Sequence, residues 1–275
     1  MSETERVAIV TGAAGGIGRA LVGGLLGAGL RVAAVDRDAG GLALLAEHAR
    51  ERQQGANLLT IEADLARDEA PAEIVMAARA RFGTIDILVN NAGVGQATIR
   101  TDNRERPIKF WEVTPEQWNQ FLAVNATAPI MMARAVLPHM LKANRGRIIT
   151  VTTSLGTMVR EGYLLYGSSK AAAEAAMAVL AADLAGTGIT ANVLVPGGVT
   201  DTPLVGDAGD RSKMLRPDIM VPPLLWLVSD EAVEVSGRRF IAADWDTRLP
   251  PAQAAEAAGA PVAWLSIARM PIEPG

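Results

Sequence analysis

Short apolar runs alternate with longer stretches of helical period along most of the chain. The runs are rich in β-branched residues and end at turn signals, which is typical of strands buried on both faces. Six runs fit this description: 7–10, 31–35, 58–63, 85–89, 147–151 and 189–195. Strands and helices in regular alternation predict parallel pairing through right-handed crossovers. We therefore predict an α/β fold, a doubly wound parallel sheet with helices on both faces.

Two segments interrupt this alternation. Residues 95–113 form a long polar segment after a predicted strand, and residues 246–275 contain five prolines around one short apolar island. The chain shows neither a repeat of fixed period nor a low-complexity linker. We predict a single domain over residues 1–245, followed by a C-terminal extension over residues 246–275.

The first predicted helix, residues 19–30, is rich in glycine. Each glycine weakens a helix by about 1 kcal/mol relative to alanine. The helix contains four of them: Gly23, Gly24, Gly27 and Gly29. We expect that glycine occurs at these positions because the helix packs closely against the sheet.

Composition and charge exclude several classes of function. The 275 residues include 26 Lys and Arg against 30 Asp and Glu, a net charge of −4, so no nucleic acid is expected as a partner. Without cysteine and with only two histidines, no metal site is expected. No apolar run approaches the roughly 20 residues of a membrane span, and the first residues lack the pattern of a signal peptide. We expect a cytoplasmic protein that does not contact membranes.

A glycine-rich loop separates the first strand from the first helix. Glycines at this turn let the backbone approach a pyrophosphate, and the helix N-terminus presents free N–H groups to it. The alternative is a tight turn without a ligand, which this position in a parallel sheet disfavours. We predict a Rossmann-type dinucleotide site whose loop residues are Gly12, Gly15, Gly16, Ile17 and Gly18.

The end of the second strand bears on the choice of dinucleotide. Asp36 follows the loop by about twenty residues, where a carboxylate accepts hydrogen bonds from the adenosine ribose and repels a 2′-phosphate. Its neighbour Arg37 could instead reach a 2′-phosphate, although we favour a solvated loop cation there. We predict NAD as the cofactor, with NADP as the less favoured alternative.

The glycine spacing T-G-x-x-x-G-x-G resembles the short-chain dehydrogenase/reductase family in its single-domain form, over residues 7–244. Further motifs of that family follow in register: N-N-A-G at 90–93, an asparagine at 125, Y-x-x-x-K at 166–170 and a P-G loop at 196–202. Its NADP-preferring members commonly carry a basic residue where this chain has Gly15, which agrees with NAD. The resemblance implies further cofactor contacts from Asp64, Leu65, Asn91, Ala92, Gly93, Tyr166, Lys170, Pro196, Gly197, Val199 and Thr202.

The spacing of Tyr166 and Lys170 has a chemical meaning of its own. Residues four apart on a helix share a face, so the phenol and the ammonium can meet. Lowering a tyrosine pKa from about 10 to about 7 requires roughly 4 kcal/mol. One ammonium about 4 Å away supplies an interaction of that order at an effective dielectric constant near 20, before desolvation is subtracted. Lysine alone is therefore marginal, and the positive ring of an oxidised nicotinamide would help.

The resemblance assigns two further catalytic roles. A serine thirteen residues before the tyrosine polarises the substrate oxygen in the family, and this position holds Thr153. The neighbouring Ser154 is the alternative, but consecutive strand residues point to opposite faces and we favour Thr153. Asn125 would hold the water that links Lys170 to solvent, besides its ordinary role as a buried amide that bridges two strands.

The predicted function is an oxidoreductase that transfers a hydride between NAD(H) and a secondary alcohol or ketone, with Tyr166 as general acid/base. The alternative is a catalytically silent NAD-binding sensor or scaffold. The substrate is expected to be a small-molecule alcohol or ketone: a mid-sized, partly apolar carbonyl compound with a polar end. The nearly all-apolar helical stretch 171–182 resembles the family's subunit interface and predicts a homo-oligomer, a tetramer or a dimer. The extension after residue 245 is expected to cover a substrate mouth, its own or a neighbour's.

Overall fold

The computed structural model describes residues 6–207 and 209–267. Within them, one sheet of eight strands runs in the order β3-β2-β1-β4-β5-β6-β7-β8. All neighbouring strands pair in parallel except β8, which is antiparallel to β7. The predicted doubly wound α/β fold is confirmed. The strands are β1 (Val7–Thr11), β2 (Arg31–Asp36), β3 (Leu58–Glu62), β4 (Ile87–Asn90), β5 (Gly146–Val151), β6 (Ile189–Val195), β7 (Arg238–Ile241) and β8 (Gly259–Pro261).

Helices cover both faces of the sheet. Residues of α1, α2 and α8 fill the core on one face, and residues of α3, α5 and α7 fill it on the other. The helices among the described residues are α1 (Gly16–Gly27), α2 (Ala39–Glu51), α3 (Ala70–Phe82), α4 (Pro115–Leu122), α5 (Ala128–Ala143), α6 (Leu155–Met158), α7 (Leu164–Asp183), α8 (Val221–Val228) and α9 (Pro251–Ala258). Five residues in π-helical geometry, Ala123–Thr127, join α4 to α5.

The strand order reverses at β1, which pairs with β2 on one side and β4 on the other. In open parallel sheets, a crevice forms beyond the carboxyl ends of the strands at such a reversal, because the connections leave in opposite directions. The loops after β1 and β4 therefore flank the place where a ligand can bind.

The helical run Pro115–Ala143 is long and apolar enough to cross a membrane by length and composition alone, contrary to our expectation for the chain. Its α5 portion packs Met132, Val136 and Met140 into the core beneath the sheet. Core helices of globular domains pass the same test. The buried side chains of α5 show that this part of the run is a core helix of the domain.

The C-terminal extension continues the sheet. The short strand β8 adds to the edge of β7, and α9 packs Ala254, Ala255 and Ala258 beneath it. Val262 and Ala263 are also buried. A three-residue strand that ends in proline carries no alternating pattern, so the sequence did not reveal it; proline is tolerated because β8 lies at the edge. The domain boundary at residue 245 stays a prediction, and residues 268–275 lie outside the described part of the chain.

The glycines of α1 do not share one explanation. A Cβ on Gly24 would lie 2.5 Å from Cγ1 of Val221 in α8, so this glycine permits close packing, but against a helix rather than the sheet. Gly23 and Gly27 have open space where a Cβ would be, and Gly29 adopts φ +85° in the turn after the helix. The expectation of close packing against the sheet was therefore wrong.

This difference predicts opposite effects for neighbouring substitutions. Gly23→Ala should stabilise the protein by about 0.5–1 kcal/mol, because alanine favours the helix and meets nothing. Gly24→Ala should destabilise it by about 1–3 kcal/mol, because the added methyl group collides with Val221. Denaturant unfolding of the two variants measures both effects. Equal changes in the two variants would contradict the packing described for Gly24.

Candidate active site

A cleft of about 620 Å³ opens at the carboxyl end of the parallel strands. The loops that follow β1 to β6 line it. Of the residues predicted for the cofactor and for catalysis, all line this cleft except Asn125. The cleft therefore brings together motifs that lie up to 190 residues apart in the chain, from Gly12 to Thr202.

At the reversal of strand order, hydrogen bonds join the end of β1 to the end of β4. The Thr11 hydroxyl accepts from the backbone N–H groups of Asn91 and Ala92, at 3.0 and 3.1 Å. The side-chain amide of Asn91 donates back to the carbonyls of Thr11 and Gly12, at 3.0 Å each. The two loops are thus fixed to each other, and Thr11 belongs to the site although our predicted set omitted it.

The loop between β1 and α1 is shaped as an anion cradle. Gly12 adopts φ +65°, and a Cβ there would lie 2.7 Å from the Ala92 Cα; a Cβ on Gly18 would lie 1.9 Å from the Gly12 carbonyl oxygen. No side chain caps the N-terminus of α1, and its first turn contains no acidic residue. Its N–H groups are therefore available to a phosphate. These residues fit the pyrophosphate of a dinucleotide.

Asp36 is held in place at the end of β2. One carboxylate oxygen accepts from the Ala14 N–H at 2.9 Å, and the other accepts from the Asp38 N–H at 3.1 Å. Each carboxylate oxygen retains capacity for a further hydrogen bond. Arg37 lies in the cleft lining beside it, and so does Arg19 from the first turn of α1, a cation that our sequence analysis did not consider.

Thr153, Tyr166 and Lys170 meet at the other end of the cleft. The side chain of Thr153 lies beside the Tyr166 phenol and acts to lower its pKa, which favours the phenolate. The Lys170 ammonium lies 5.9 Å from the centroid of the Tyr166 ring and donates to the Val151 carbonyl at 2.9 Å. Ser154, the alternative to Thr153, also lines the cleft and forms no capping bond at the start of α6.

Burial shifts the two titrating groups in opposite directions. Desolvation raises the pKa of Tyr166 to about 12, and the neighbouring Tyr163 acts in the same direction, while Thr153 only partly offsets them. Desolvation lowers the pKa of Lys170 to about 8. Tyr166 is therefore a neutral phenol at neutral pH, and Lys170 alone does not make it a phenolate.

Asn125 lies in the π-helical segment, behind the cleft rather than in its wall. Its amide nitrogen donates to the Val94 carbonyl at 2.9 Å and to the Ser169 hydroxyl at 3.0 Å, and its oxygen accepts from the Val94 N–H at 2.8 Å. It thus bridges the loop after β4 to α7, not two strands as expected. A Cβ on Gly93 would lie 3.2 Å from the Asn125 oxygen and 3.4 Å from the Lys170 nitrogen.

A buried ion pair supports the catalytic end from behind. Glu174, fully buried on α7, accepts from the Arg239 guanidinium at 2.8 Å, the Thr152 hydroxyl at 2.6 Å and the Ala263 N–H at 3.1 Å. Arg239 also donates to the carbonyl of Thr153 at 3.1 Å. Sequence analysis missed this network. A single acid within an apolar helix was the available signal, because acids are almost never fully buried unless paired.

The comparisons with known proteins agree with this geometry. The family model for short chain dehydrogenases matches residues 6–213. The chain is 34% identical over 249 residues to D-threitol dehydrogenase of Mycolicibacterium smegmatis, covering 86% of this chain and 90% of the relative. It is 31% identical over 247 residues to the 3-oxoacyl-(acyl-carrier-protein) reductase FabG of Escherichia coli, covering 86% and 95%.

Solved structures show the same likeness. The crystal structure of a 3-ketoacyl-(acyl-carrier-protein) reductase from Brucella melitensis, complexed with NADH, is similar with a TM-score of 0.74 and 27% sequence identity. The match covers 86% of this chain and 95% of that chain. The chain belongs to the short chain dehydrogenase family, as its motifs indicated. It is an oxidoreductase whose Rossmann-type fold takes a nicotinamide cofactor.

Proposed function

We propose that the protein transfers a hydride between NAD(H) and a secondary alcohol or ketone, with Tyr166 as the general acid/base. The observation that carries this proposal is the grouping of Thr153, Tyr166 and Lys170 in the wall of one cleft, with the Lys170 ammonium 5.9 Å from the centroid of the Tyr166 ring; the same cleft also includes the glycine cradle. Three relatives bear names of dehydrogenases or ketone reductases, which supports the same reaction class.

The chain's own residues supply the proton chemistry. When bound, the nicotinamide cofactor gives or accepts the hydride at the reacting carbon. In ketone reduction, the Tyr166 hydroxyl donates its proton to the substrate oxygen as that oxygen gains charge. In alcohol oxidation, the Tyr166 oxygen takes the hydroxyl proton. The Thr153 hydroxyl donates a hydrogen bond to the substrate oxygen in both directions and orients it against Tyr166.

Lys170 and Asn125 support Tyr166 in this proposal. The Lys170 ammonium stabilises the phenolate that forms when Tyr166 gives up its proton. Its buried position, 4% exposed, strengthens this interaction because little water screens it. Asn125 fixes the loop that carries Gly93 against α7, and in the proposed relay it holds a water that connects Lys170 to solvent.

The preference for NAD rests on Asp36. Its carboxylate is held in the cleft by two backbone N–H groups, so it cannot swing away from a 2′-phosphate. A phosphate there would face a fixed negative charge, whereas a ribose diol would find hydrogen-bond acceptors. Arg19 and Arg37 oppose this preference, but both are exposed and free to turn into solvent.

Assembly and location complete the proposal. The face of α7 within 171–182 leaves Val179 62% exposed, and α5 exposes Leu141 at 50%. Exposed apolar side chains on these neighbouring helices suit a contact between identical subunits. We place the protein in the cytoplasm as a homo-oligomer, a dimer or a tetramer, that acts on a small alcohol or ketone.

Cofactor preference is testable by thermal unfolding with NAD, NADH, NADP and NADPH at equal concentration. A ligand at a hundred times its Kd stabilises the fold by about 2.7 kcal/mol, which raises Tm by several degrees. We expect larger shifts with NAD and NADH than with the phosphorylated pair. Asp36→Ala should reduce this difference and Arg37→Gln should not. A larger shift with NADP or NADPH would refute the role given to Asp36.

The pH dependence of turnover tests the role of Tyr166. Oxidation of a secondary alcohol requires the phenolate form of Tyr166, and the Tyr166 pKa of about 12 lies far above neutral pH, so kcat/KM should rise with pH by up to about tenfold per unit until Lys170 loses its proton near pH 8. Reduction of the ketone uses the neutral phenol and should be level below the Lys170 pKa of about 8.

Tyr166→Phe should abolish both reactions, by about a hundredfold or more, while keeping the thermal shift with cofactor. Unchanged activity in this variant would exclude Tyr166 as the proton donor. Cofactor binding without turnover of any compound in a broad panel of alcohols and ketones would favour the silent sensor or scaffold.

Two adjacent substitutions separate Thr153 from Ser154. Thr153→Val keeps the shape of the side chain and removes the hydroxyl, so kcat/KM should fall about a hundredfold, as when one donor to the developing oxyanion is removed. Ser154→Ala should retain most of the activity. The reverse result would show that Ser154 contacts the substrate oxygen.

A further inference from the structure

The two ends of the cleft differ in charge. Among the described residues, the acids that line the cleft are Asp36, at the end of β2, and Asp38 and Asp64, in the loops after β2 and β3. At the catalytic end, Arg160 lines the cleft beside Tyr163; Arg104, from the segment after β4, also lines it, and neither segment contributes a carboxylate to the described lining. A substrate that enters here meets positive charge, although the whole chain carries −4.

Arg160 lies one aromatic ring away from the catalytic phenol. Its guanidinium carbon lies 5.1 Å from the centroid of the Tyr163 ring. The Tyr163 ring in turn meets the Tyr166 ring edge to face, with centroids 6.4 Å apart. Phenol, aromatic ring and cation thus follow one another along the wall of the cleft. Stacking on the ring leaves the hydrogen-bonding edge of the guanidinium free for a ligand.

The charged side chains in the sequence segments around Arg160 pair with one another and not with Arg160. Arg100 pairs with Glu112, Arg106 with Asp102, and Lys109 with Glu161. Glu105 is exposed and does not line the cleft. Arg160 is exposed and forms no ion pair with any residue in the described ranges, so its guanidinium is available to a ligand.

We infer that the substrate is an alcohol or ketone that also bears an anionic group, carboxylate or phosphate, and that Arg160 is the residue that selects it. The reacting oxygen lies at Thr153 and Tyr166, an apolar portion of the molecule lies along Tyr163, and the anion meets the guanidinium of Arg160. Arg104 adds positive charge at the mouth. This inference rests on the proposed function and names the substrate class of the same cleft.

A ketone acid and its uncharged analogue test this inference by binding. The probes are 4-oxo-4-phenylbutyrate and the corresponding primary amide, which differ in charge and hardly in shape. Each is titrated into enzyme saturated with NAD, which cannot reduce a ketone, and Kd is measured calorimetrically. The acid should bind about tenfold more tightly than the amide, because a charge-assisted bond replaces a neutral one. The phosphate monoester of 4-hydroxy-1-phenylbutan-1-one, which keeps the ketone, is titrated beside them and shows which anion is preferred.

Variants locate the source of the preference. Arg160→Gln should reduce the ratio of acid to amide affinity to near one, and Arg160→Lys should restore part of it. Arg106→Gln is the matched control, because it removes an equally exposed arginine that pairs with Asp102 outside the cleft, and its ratio should match the parent protein. Three results would each overturn the inference. The acid and the amide could bind with equal affinity, neither could bind at millimolar concentration, or the ratio of their affinities could be unchanged in Arg160→Gln.

Turnover separates this inference from the function on which it rests. The acid and its methyl ester are offered with NADH, and reduction is followed by loss of NADH absorbance. Reduction of both at equal kcat/KM, abolished by Tyr166→Phe, would uphold the proposed reaction and reject the anion. Selective binding of the acid, with no reduction of any ketone, would uphold the anion site and reject the reaction.

Discussion

The hydroxyl of Thr11 holds the two halves of the site together. It accepts from the backbone of Asn91 and Ala92 at the point where the strand order reverses. The phosphate cradle begins one residue after Thr11, and Gly93 follows Ala92 directly, in contact range of Lys170 and Asn125. A shift between β1 and β4 would therefore move the anion cradle relative to the catalytic lysine. The pairing of β1 with β4, the Thr11 hydroxyl and the Asn91 amide together fix the distance between the cradle and the catalytic lysine.

Burial at the catalytic end creates a group that is ready to donate a proton. The same desolvation that lowers the pKa of Lys170 raises that of Tyr166, so the unliganded protein holds its phenol neutral. A positive charge brought in with an oxidised cofactor would shift both groups at once, because all three lie in one poorly screened space. The proton affinities of Tyr166 and Lys170 would then depend on the redox state of a bound cofactor, and the direction of the proposed reaction would depend on pH.

Sequence reasoning succeeded where the physical signal is local. Strands buried on both faces appear as apolar runs, and a cradle for phosphate requires glycines at fixed spacing, so β1 to β6 and the cleft residues could be predicted. It failed where the signal is tertiary. Strand β7 contains Arg238 and Arg239, so it does not appear as an apolar run. Strand β8 has only three residues and is recognised as a strand by its pairing with β7. Glu174 pairs with Arg239 across 65 residues of sequence, and nothing in the sequence around either residue identifies its partner.

The bond from Ala263 to Glu174 has a consequence for how the chain is made. Glu174 receives one of its donors from β7 and another from a segment that is synthesised 89 residues after it. While the ribosome still covers both of these donors, the carboxylate keeps the Thr152 hydroxyl but lacks the Arg239 cation, so its burial is costly. Glu174, on the helix that also bears Tyr166, therefore gains its full set of these hydrogen bonds only after Ala263 has been synthesised. A chain cut short before β7 would retain the Thr152 donor but lose the cation that pairs with this buried carboxylate.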